Sequence, residues 1–386
     1  MAVMTETAIP ATFMRGGTSK GLMVLRADLP MKREDWAEIL AGAMGSPDVH
    51  ERQLNGMGGG LSSLSKVCIV EPSEREDADV DFTFAQVGIA TSGVDYSTNC
   101  GNMASAVGPF AMDRGLVPAN DGEARVRIFN TNTRKLIHAT FLVREGRAIL
   151  DGDFAIPGVS GTGAPIRLDF VEPGGATTGR LTPTGLVRDV LTDPVTGSRL
   201  DVSLIDAANA CVFVLAEQLG LSGAESPEAL ARADGLLARL AAIRAQASVM
   251  MGIAGDPASA SAHSGAPFLA MVSGPQAYAP SSGPTIERHG HDLTLRVISH
   301  GQPHRAVPLT VALCSGVAAR LPGSVLDLCW TGPRPDDGSL RLGTPSGVLT
   351  VAADVARGAE GEWTARSGAF YRTARRLFEG RVWSRT

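Results

Sequence analysis

The sequence predicts an α+β chain of two similar domains, each wrapping a sheet around a buried central helix, and three observations support this. First, 386 residues are too many for one ordinary compact core, while 44% apolar residues suffice to bury two. Second, 45 glycines and 23 prolines with only 5% aromatic residues make a turn-rich composition that suits many short strands and excludes an all-helical bundle. Third, the order strand, glycine turn, small-residue apolar helix occurs twice.

Taken in chain order, Gly21 to Leu25 reads as a short strand. Met31 to Met44 carries Trp36, Ile39, Leu40 and Met44 at three- and four-residue steps, the spacing of an amphipathic helix. Lys66 to Val70 and Val80 to Ala90 read as strands, and a small-residue helix, Gly101 to Met112, follows Cys100. Arg125 to Asn130, Leu136 to Val143 and Ala148 to Ile156 are hairpin-like runs. Pro157 to Gly185, rich in Gly, Pro and Thr and without periodicity, predicts the crossing between domains. The boundary is placed near 185, giving domains 1–185 and 186–386, with the last strand free to return to the first.

Leu200 to Asp206 opens the second domain as a strand. Ser226 to Met251 predicts one long helix, with Ser226 as cap and Pro227 in its first turn. Leu293 to Ser299 alternates apolar and polar residues, His300 to His304 forms a turn, and Ala306 to Leu321 is a buried helix. If the repeat is structural, the two buried helices present their N-termini across a cleft, and helix N-termini bind anions. Two of them suit a polycarboxylate.

A net charge of −5 and a pI near 5.8 remove nucleic acid and anionic membrane as default partners, because phosphate binding needs a concentrated basic face. Met1 to Thr12 has no basic stretch followed by an apolar one, so no secretory signal is expected, and no stretch reaches the roughly 18 apolar residues of a membrane span. Cys68, Cys100, Cys211, Cys314 and Cys329 are odd in number and widely spaced, which suits reduced thiols in a cytoplasm rather than disulfides or a zinc site.

Only four lysines occur, Lys20, Lys32, Lys66 and Lys135, the scarcity itself being a compositional habit. Lys66 opens the apolar run Val67 to Val70, where it either reaches solvent at a strand end or is desolvated, and desolvation favours the neutral amine that accepts protons. The preceding Gly56 to Ser63 is a glycine-rich loop able to bring backbone close to a ligand. Cys100, at a helix start, is either a core cysteine or a thiol under the positive end of the helix dipole. In the second reading of each, Lys66 and Cys100 together would make a two-group proton shuttle. Other motifs fail. Ser63 to Lys66 matches S-x-x-K, but no K-T-G partner exists; the glycine loop places Leu61 where a dinucleotide fingerprint needs glycine; and there is no P-loop lysine. His289 with His291, and His300 with His304, lack clustered carboxylates, so no metal is expected.

Phe13-Met14-Arg15-Gly16-Gly17-Thr18-Ser19-Lys20-Gly21, Gly58-Gly59-Gly60 through Ser65-Lys66-Val67, and Asn99-Cys100-Gly101-Asn102 with Ala106 to Phe110 resemble the methylaconitate isomerase family. The likeness continues through Asn130 to Thr133, Gly301 to His304, Pro345 to Gly347 and Arg372 to Arg376, so it covers essentially the whole chain. It implies the diaminopimelate epimerase-like fold, two similar domains that are each a mostly antiparallel β-barrel around a central helix. It implies a cofactor-free isomerase pairing Lys66 with Cys100, a small polycarboxylate substrate and a homodimer.

Within the family the likeness points toward 4-oxalomesaconate, an intermediate of the protocatechuate 4,5-cleavage route of lignin-derived aromatics, with 2-methylaconitate or another tricarboxylate as the alternative. The implied reaction is a 1,3-allylic proton shift giving 2-keto-4-carboxy-3-hexenedioate. Resemblance and chemistry together nominate Arg15, Thr18, Ser19, Ser62, Ser63, Gly101 and Asn102 as carboxylate donors, with Ser299, His300 and His304 from the second domain. Two other classes stay open: a non-catalytic carboxylate-binding protein, for which Lys66 and Cys100 are dispensable, and a serine acyl-transfer enzyme acting through Ser63.

Overall fold

The computed structural model describes residues 6–96, 100–262, 266–281, 283–299, 301–359 and 361–385. In chain order it contains β1 (Glu6–Gly16), β2 (Ser19–Leu25), α1 (Trp36–Met44), β3 (Lys66–Pro72), β4 (Val80–Val87), β5 (Val94–Asp95), α2 (Gly101–Asp113), β6 (Gly122–Asn130), β7 (Lys135–Arg144), β8 (Arg147–Ala148) and β9 (Ile166–Val171). There follow β10 (Asp189–Thr192), β11 (Arg199–Ala207), β12 (Asn209–Leu215), α3 (Pro227–Arg232), α4 (Leu236–Met250), α5 (Pro257–Ala262), β13 (Phe268–Ser273), β14 (Leu293–Ser299), β15 (Gln302–Pro303), α6 (Leu309–Ala319), α7 (Val325–Cys329), β16 (Ser339–Thr344), β17 (Gly347–Arg357), β18 (Trp363–Arg372) and β19 (Ala374–Arg385).

The chain divides into two compact units, one up to Phe170 together with Tyr371 onward, the other Val171–Phe370. The boundary expected near 185 thus lies inside the second unit. The segment expected to be the crossing holds β9, whose alternating burial is that of a half-buried strand.

In the first unit β1 pairs antiparallel with β2 and β19, β2 parallel with β3, β3 antiparallel with β4, and β4 antiparallel with β5 and parallel with β6, which forms a hairpin with β7. The second unit repeats this order: β11 antiparallel with β12, β12 parallel with β13, β13 antiparallel with β14, β14 antiparallel with β15 and parallel with β16, and β16 antiparallel with β17. Each unit encloses one helix. Met103 to Met112 of α2 are buried without interruption, as are Val311 to Ala319 of α6. The architecture is therefore the α+β, diaminopimelate epimerase-like arrangement that the sequence predicts.

On the other face of the first unit's sheet, Trp36, Leu40 and Met44 of α1 pack with Leu22, Val24, Val67, Ile69 and Val382. In the second unit α4 does the same through Leu236, Leu240 and Ile243 against Val202, Val212 and Met271. Strands covered on both faces read as continuous apolar runs, which is why β3 and β12 show no alternation.

Several elements differ from expectation. The long helix read over Ser226 to Met251 is two helices. Ser226 caps the first through Ala229 N–H at 3.1 Å, but Ala233 is extended and Gly235 takes φ +69°. The first-domain helix starts at Trp36 rather than Met31, Val80 to Ala90 ends as a strand at Val87, and Ala148 to Ile156 contributes only the short β8. The buried helix read from Ala306 starts at Leu309, because Pro308 stands at its cap position in extended geometry. Among the described residues no helix is long and apolar enough to cross a membrane.

Leu313 is completely buried on α6 and presses on the site where Gly368 of β18 lacks a side chain. Leu313→Ala is expected to cost about 2–5 kcal/mol, read as a lower urea midpoint with an unchanged denaturant slope.

Candidate active site

Lys66 is the first residue of β3 and is directly paired with Gln86 of β4, as Cys68 is with Phe84. Because side chains alternate along a strand, Val67 and Ile69 face α1 while Lys66 and Cys68 face the opposite side, toward α2. Lys66 is only 7% exposed. Its Nζ donates to Gln86 Oε1 at 2.5 Å and lies 4.9 Å from the centroid of the Phe84 ring. The side chain is thus buried rather than standing at an exposed strand end.

Cys100 occupies the cap position of α2, half-buried, with its carbonyl accepting from Ala104 N–H at 3.0 Å. The first-turn amides of the 13-residue helix, Gly101 and Asn102 among them, have no intrahelical acceptor, so the end beside the thiol carries partial positive charge. Burial pushes the Cys68 thiol well above its ordinary range; Cys100 adds to that push and Lys66 opposes it. One buried sulfur thus feels the charge of both residues.

The β1–β2 turn is brought against this helix end because Gly16 has no side chain: a Cβ there would lie 2.6 Å from Asn102 O and 3.0 Å from Met103 Cα. Contact is made polar by Asn102. Its Nδ2 donates to Thr18 Oγ1 at 3.0 Å, while its Oδ1 accepts from Thr18 N–H at 3.4 Å and from Arg372 Nε at 3.1 Å. Arg372 also donates to the Tyr371 carbonyl at 2.7 Å, and burial lowers its pKa to about 10.

Arg15 spends Nη1 on the carbonyls of Gly17 and Thr373, each 2.8 Å away, and so braces the turn. Burial, with Arg375 nearby, pushes its guanidinium below the ordinary value. Ser19 is buried, Ser63 half-buried and Ser62 exposed.

Lys66, Cys100, Arg15, Thr18, Ser19, Ser62, Ser63, Gly101 and Asn102 all belong to the first unit. Of the second-unit candidates, Ser299 ends β14, opposite Gln302, and His304 Nδ1 lies 2.7 Å from the Ala306 carbonyl and 3.1 Å from its amide, bracing the approach to α6. His300, like Asn99 of the first unit, lies outside the described residues. The S-x-x-K spacing has the wrong geometry for acyl transfer: Ser63 sits in a 3-10 turn, Ser62–Leu64, and Lys66 on a strand, so they do not share a helix face. Among the described residues no three His, Cys, Asp or Glu side chains form a metal-sized group.

Residues that the sequence reading passed over complete the support. Gln86 Nε2 donates to the carbonyls of Ser62 at 3.1 Å and Ser65 at 2.9 Å. Buried Gln53 donates to Ser65 Oγ at 2.7 Å and Ser46 Oγ at 2.9 Å, and its Oε1 accepts from Gly60 N–H at 3.1 Å, tying the glycine-rich loop to the start of β3. One signal was present: in Thr83-Phe84-Ala85-Gln86-Val87, Gln86 shares a face with Phe84, a long amide on an apolar stripe.

A sequence profile described as PrpF protein matches residues 6–385. The chain is 41% identical over 382 residues to a 3-methylitaconate isomerase of Eubacterium barkeri, covering 98% of this chain and 97% of that one. It is 36% identical to a 2-methyl-aconitate isomerase of Shewanella oneidensis, covering 98% and 97%, and 36% identical to a 4-oxalomesaconate tautomerase of Pseudomonas putida, again covering 98% and 97%. A crystal structure of a methylitaconate-delta-isomerase superposes with a TM-score of 0.91 at 40% identity, over 98% of this chain and 96% of the other.

The five thiols differ in exposure and environment. Cys68, Cys211 and Cys314 are buried, and burial pushes Cys68 and Cys211 far up; half-buried Cys329 is pushed up to about 11, while Cys100 stands at a helix N-terminus. Iodoacetamide at pH 8 is expected to alkylate Cys100 first and Cys329 more slowly, leaving the other three unmodified until unfolding, as read by peptide mass spectrometry.

Proposed function

The chain belongs to the PrpF protein family and is an isomerase, and from that premise we propose that it moves a carbon–carbon double bond in a small unsaturated polycarboxylate by a cofactor-independent 1,3-allylic proton shift. Lys66 and Cys100 are its two proton-transfer groups. What supports this reading is a buried lysine at the start of β3, on the face turned away from α1, together with a thiol at the cap position of α2.

In the forward direction Lys66 Nζ, as the neutral amine, takes the proton from the carbon flanked by an electron-withdrawing carbonyl or carboxylate and the alkene. The bonding pair left behind delocalises over the conjugated system as a dienolate, and the new ammonium stabilises that charge. Cys100 then gives its proton to the carbon two positions away, and the double bond is left between the other pair of carbons. The product leaves Lys66 protonated and Cys100 deprotonated, and a proton transfer through solvent restores both. Reversal exchanges the labels of acid and base.

Carboxylates of the substrate are bound by the free amides at the start of α2, Gly101 and Asn102, and by the turn that Thr18 and Ser19 occupy, with Arg15 and Arg372 adding positive charge. Ser62 and Ser63 supply hydroxyls beside Lys66. Ser299, His300 and His304 remain donors proposed from the second unit.

The substrate is proposed as a class. Motif likeness favours 4-oxalomesaconate, whose methylene between ketone and alkene is the more acidic; the higher identity to a 3-methylitaconate isomerase favours a methylated dicarboxylate as the second reading. A role in aromatic degradation depends on the first, and a homodimer in a cytoplasm is proposed from the family likeness alone.

The test is proton exchange in heavy water, followed by NMR on 4-oxalomesaconate, 3-methylitaconate and 2-methylaconitate in turn. One of the three is expected to exchange and isomerise, with Lys66→Met and Cys100→Ser each slowing it by about 10²–10⁴-fold and Ser63→Ala, which loses one hydroxyl contact to the substrate, slowing it by no more than about 10-fold. Full exchange in both variants overturns the shuttle; loss in Ser63→Ala alone restores the acyl-transfer reading.

A further inference from the structure

Gln86 stands directly across from Lys66 in the β3–β4 ladder, so the two side chains leave the sheet side by side on the same face. Its amide has no freedom of orientation. Both hydrogens of Nε2 go to main-chain carbonyls, Ser62 O at 3.1 Å and Ser65 O at 2.9 Å, and this presents Oε1, not the amino group, to Lys66 Nζ at 2.5 Å. Ser65 is itself held: its carbonyl accepts from Val87 N–H at 3.1 Å, and its Oγ donates to Val87 O at 3.0 Å and accepts from buried Gln53.

We propose that Gln86 is the positioning residue for Lys66, a neutral acceptor that holds Nζ in place in both protonation states and leaves its lone pair for the substrate. This rests on the reading of Lys66 as base. The chemistry selects an amide at this position. A carbonyl oxygen accepts an N–H from an ammonium and, more weakly, from an amine, so the contact persists through the proton transfer. A carboxylate in the same place would hold the ammonium and keep the base occupied. A donor in the same place would capture the lone pair; here Gln86's donors are committed to Ser62 and Ser65. The Phe84 ring, 4.9 Å from Nζ on the same strand face, offers the ammonium a soft contact without an anion.

With only four lysines in the chain, 13C-lysine labelling gives four Cε signals, and the one lost in Lys66→Met identifies Lys66. Its titration in Gln86→Glu is expected to move upward by about 1–3 pH units relative to the unchanged protein. The acidic limb of kcat/KM, with 4-oxalomesaconate or 3-methylitaconate as the probe, is expected to move with it. Gln86→Met, neutral and of similar length, is expected to lower kcat about 10–100-fold with KM little changed, as for a displaced reacting group. Should Gln86→Glu not fold, judged by circular dichroism, the kcat and KM of Gln86→Met decide. An unmoved Lys66 titration, or an unaltered kcat in Gln86→Met, overturns the role of Gln86 alone. Solvent exchange at full rate in Lys66→Met overturns the base reading and the role of Gln86 with it.

Discussion

A helix without a polar face has to be surrounded, and most of the first unit follows from surrounding α2. Ten consecutive residues, Met103 to Met112, lie out of water, which demands strands around the helix rather than beside it. Those strands are covered again from outside by α1, so β3 is apolar on both faces. A lysine admitted to such a strand has no lateral route to solvent. It stands instead at the strand's first residue, where the sheet ends just after the turn of Ser62–Leu64.

The same enclosure fixes the helix end. The β1–β2 turn approaches α2 closely enough that Gly16 cannot carry a side chain, and Asn102, second residue of the helix, ties it down through Thr18. The second unit uses the same clamp with the partners exchanged: Asn209, after its own tight turn, donates to Thr310, second residue of α6. Ala208, at φ +61° in that turn, occupies the place of Gly17 at φ +52°. The scaffold is therefore duplicated to the level of individual hydrogen bonds. The chemistry is not. Counting along the ladders from the two tight turns, Val67 beside Leu22 corresponds to Leu269 beside Val212, so the position of Lys66 is taken in the second unit by Phe268, and the cap position of Cys100 by Pro308. Both copies keep the frame, and at these positions only the first carries Lys66 and Cys100.

What the sequence made legible follows from the same physics. Both buried helices, the main strands and the strand–turn–helix repeat were visible because burial on all sides leaves an unbroken apolar signature. Lys66 and Cys100 were visible because they interrupt it. Pairing partners were not visible: Gln86 gains its meaning from lying opposite Lys66, and Gln53 from a buried amide reaching back across the glycine loop, and neither register nor loop path is written in local periodicity. The break between α3 and α4 escaped for the opposite reason. The apolar spacing continues on both sides of Gly235, while one left-handed residue turns the chain. Nor does local periodicity announce that Arg15, nominated as a carboxylate donor, gives Nη1 to two main-chain carbonyls.

The pairing of β1 with β19 also sets an order of events during synthesis. The second unit is one uninterrupted segment, Val171–Phe370, whereas the first needs Tyr371 onward to complete its sheet. On the ribosome, strands carrying Lys66 and the helix capped by Cys100 emerge early, yet Ile9, Ala11 and Phe13 keep an unpaired edge until the final segment arrives. The unit that holds the ionisable pair is begun first and finished last, so the nascent chain carries a sticky, incomplete sheet for the whole time its neighbour is being made.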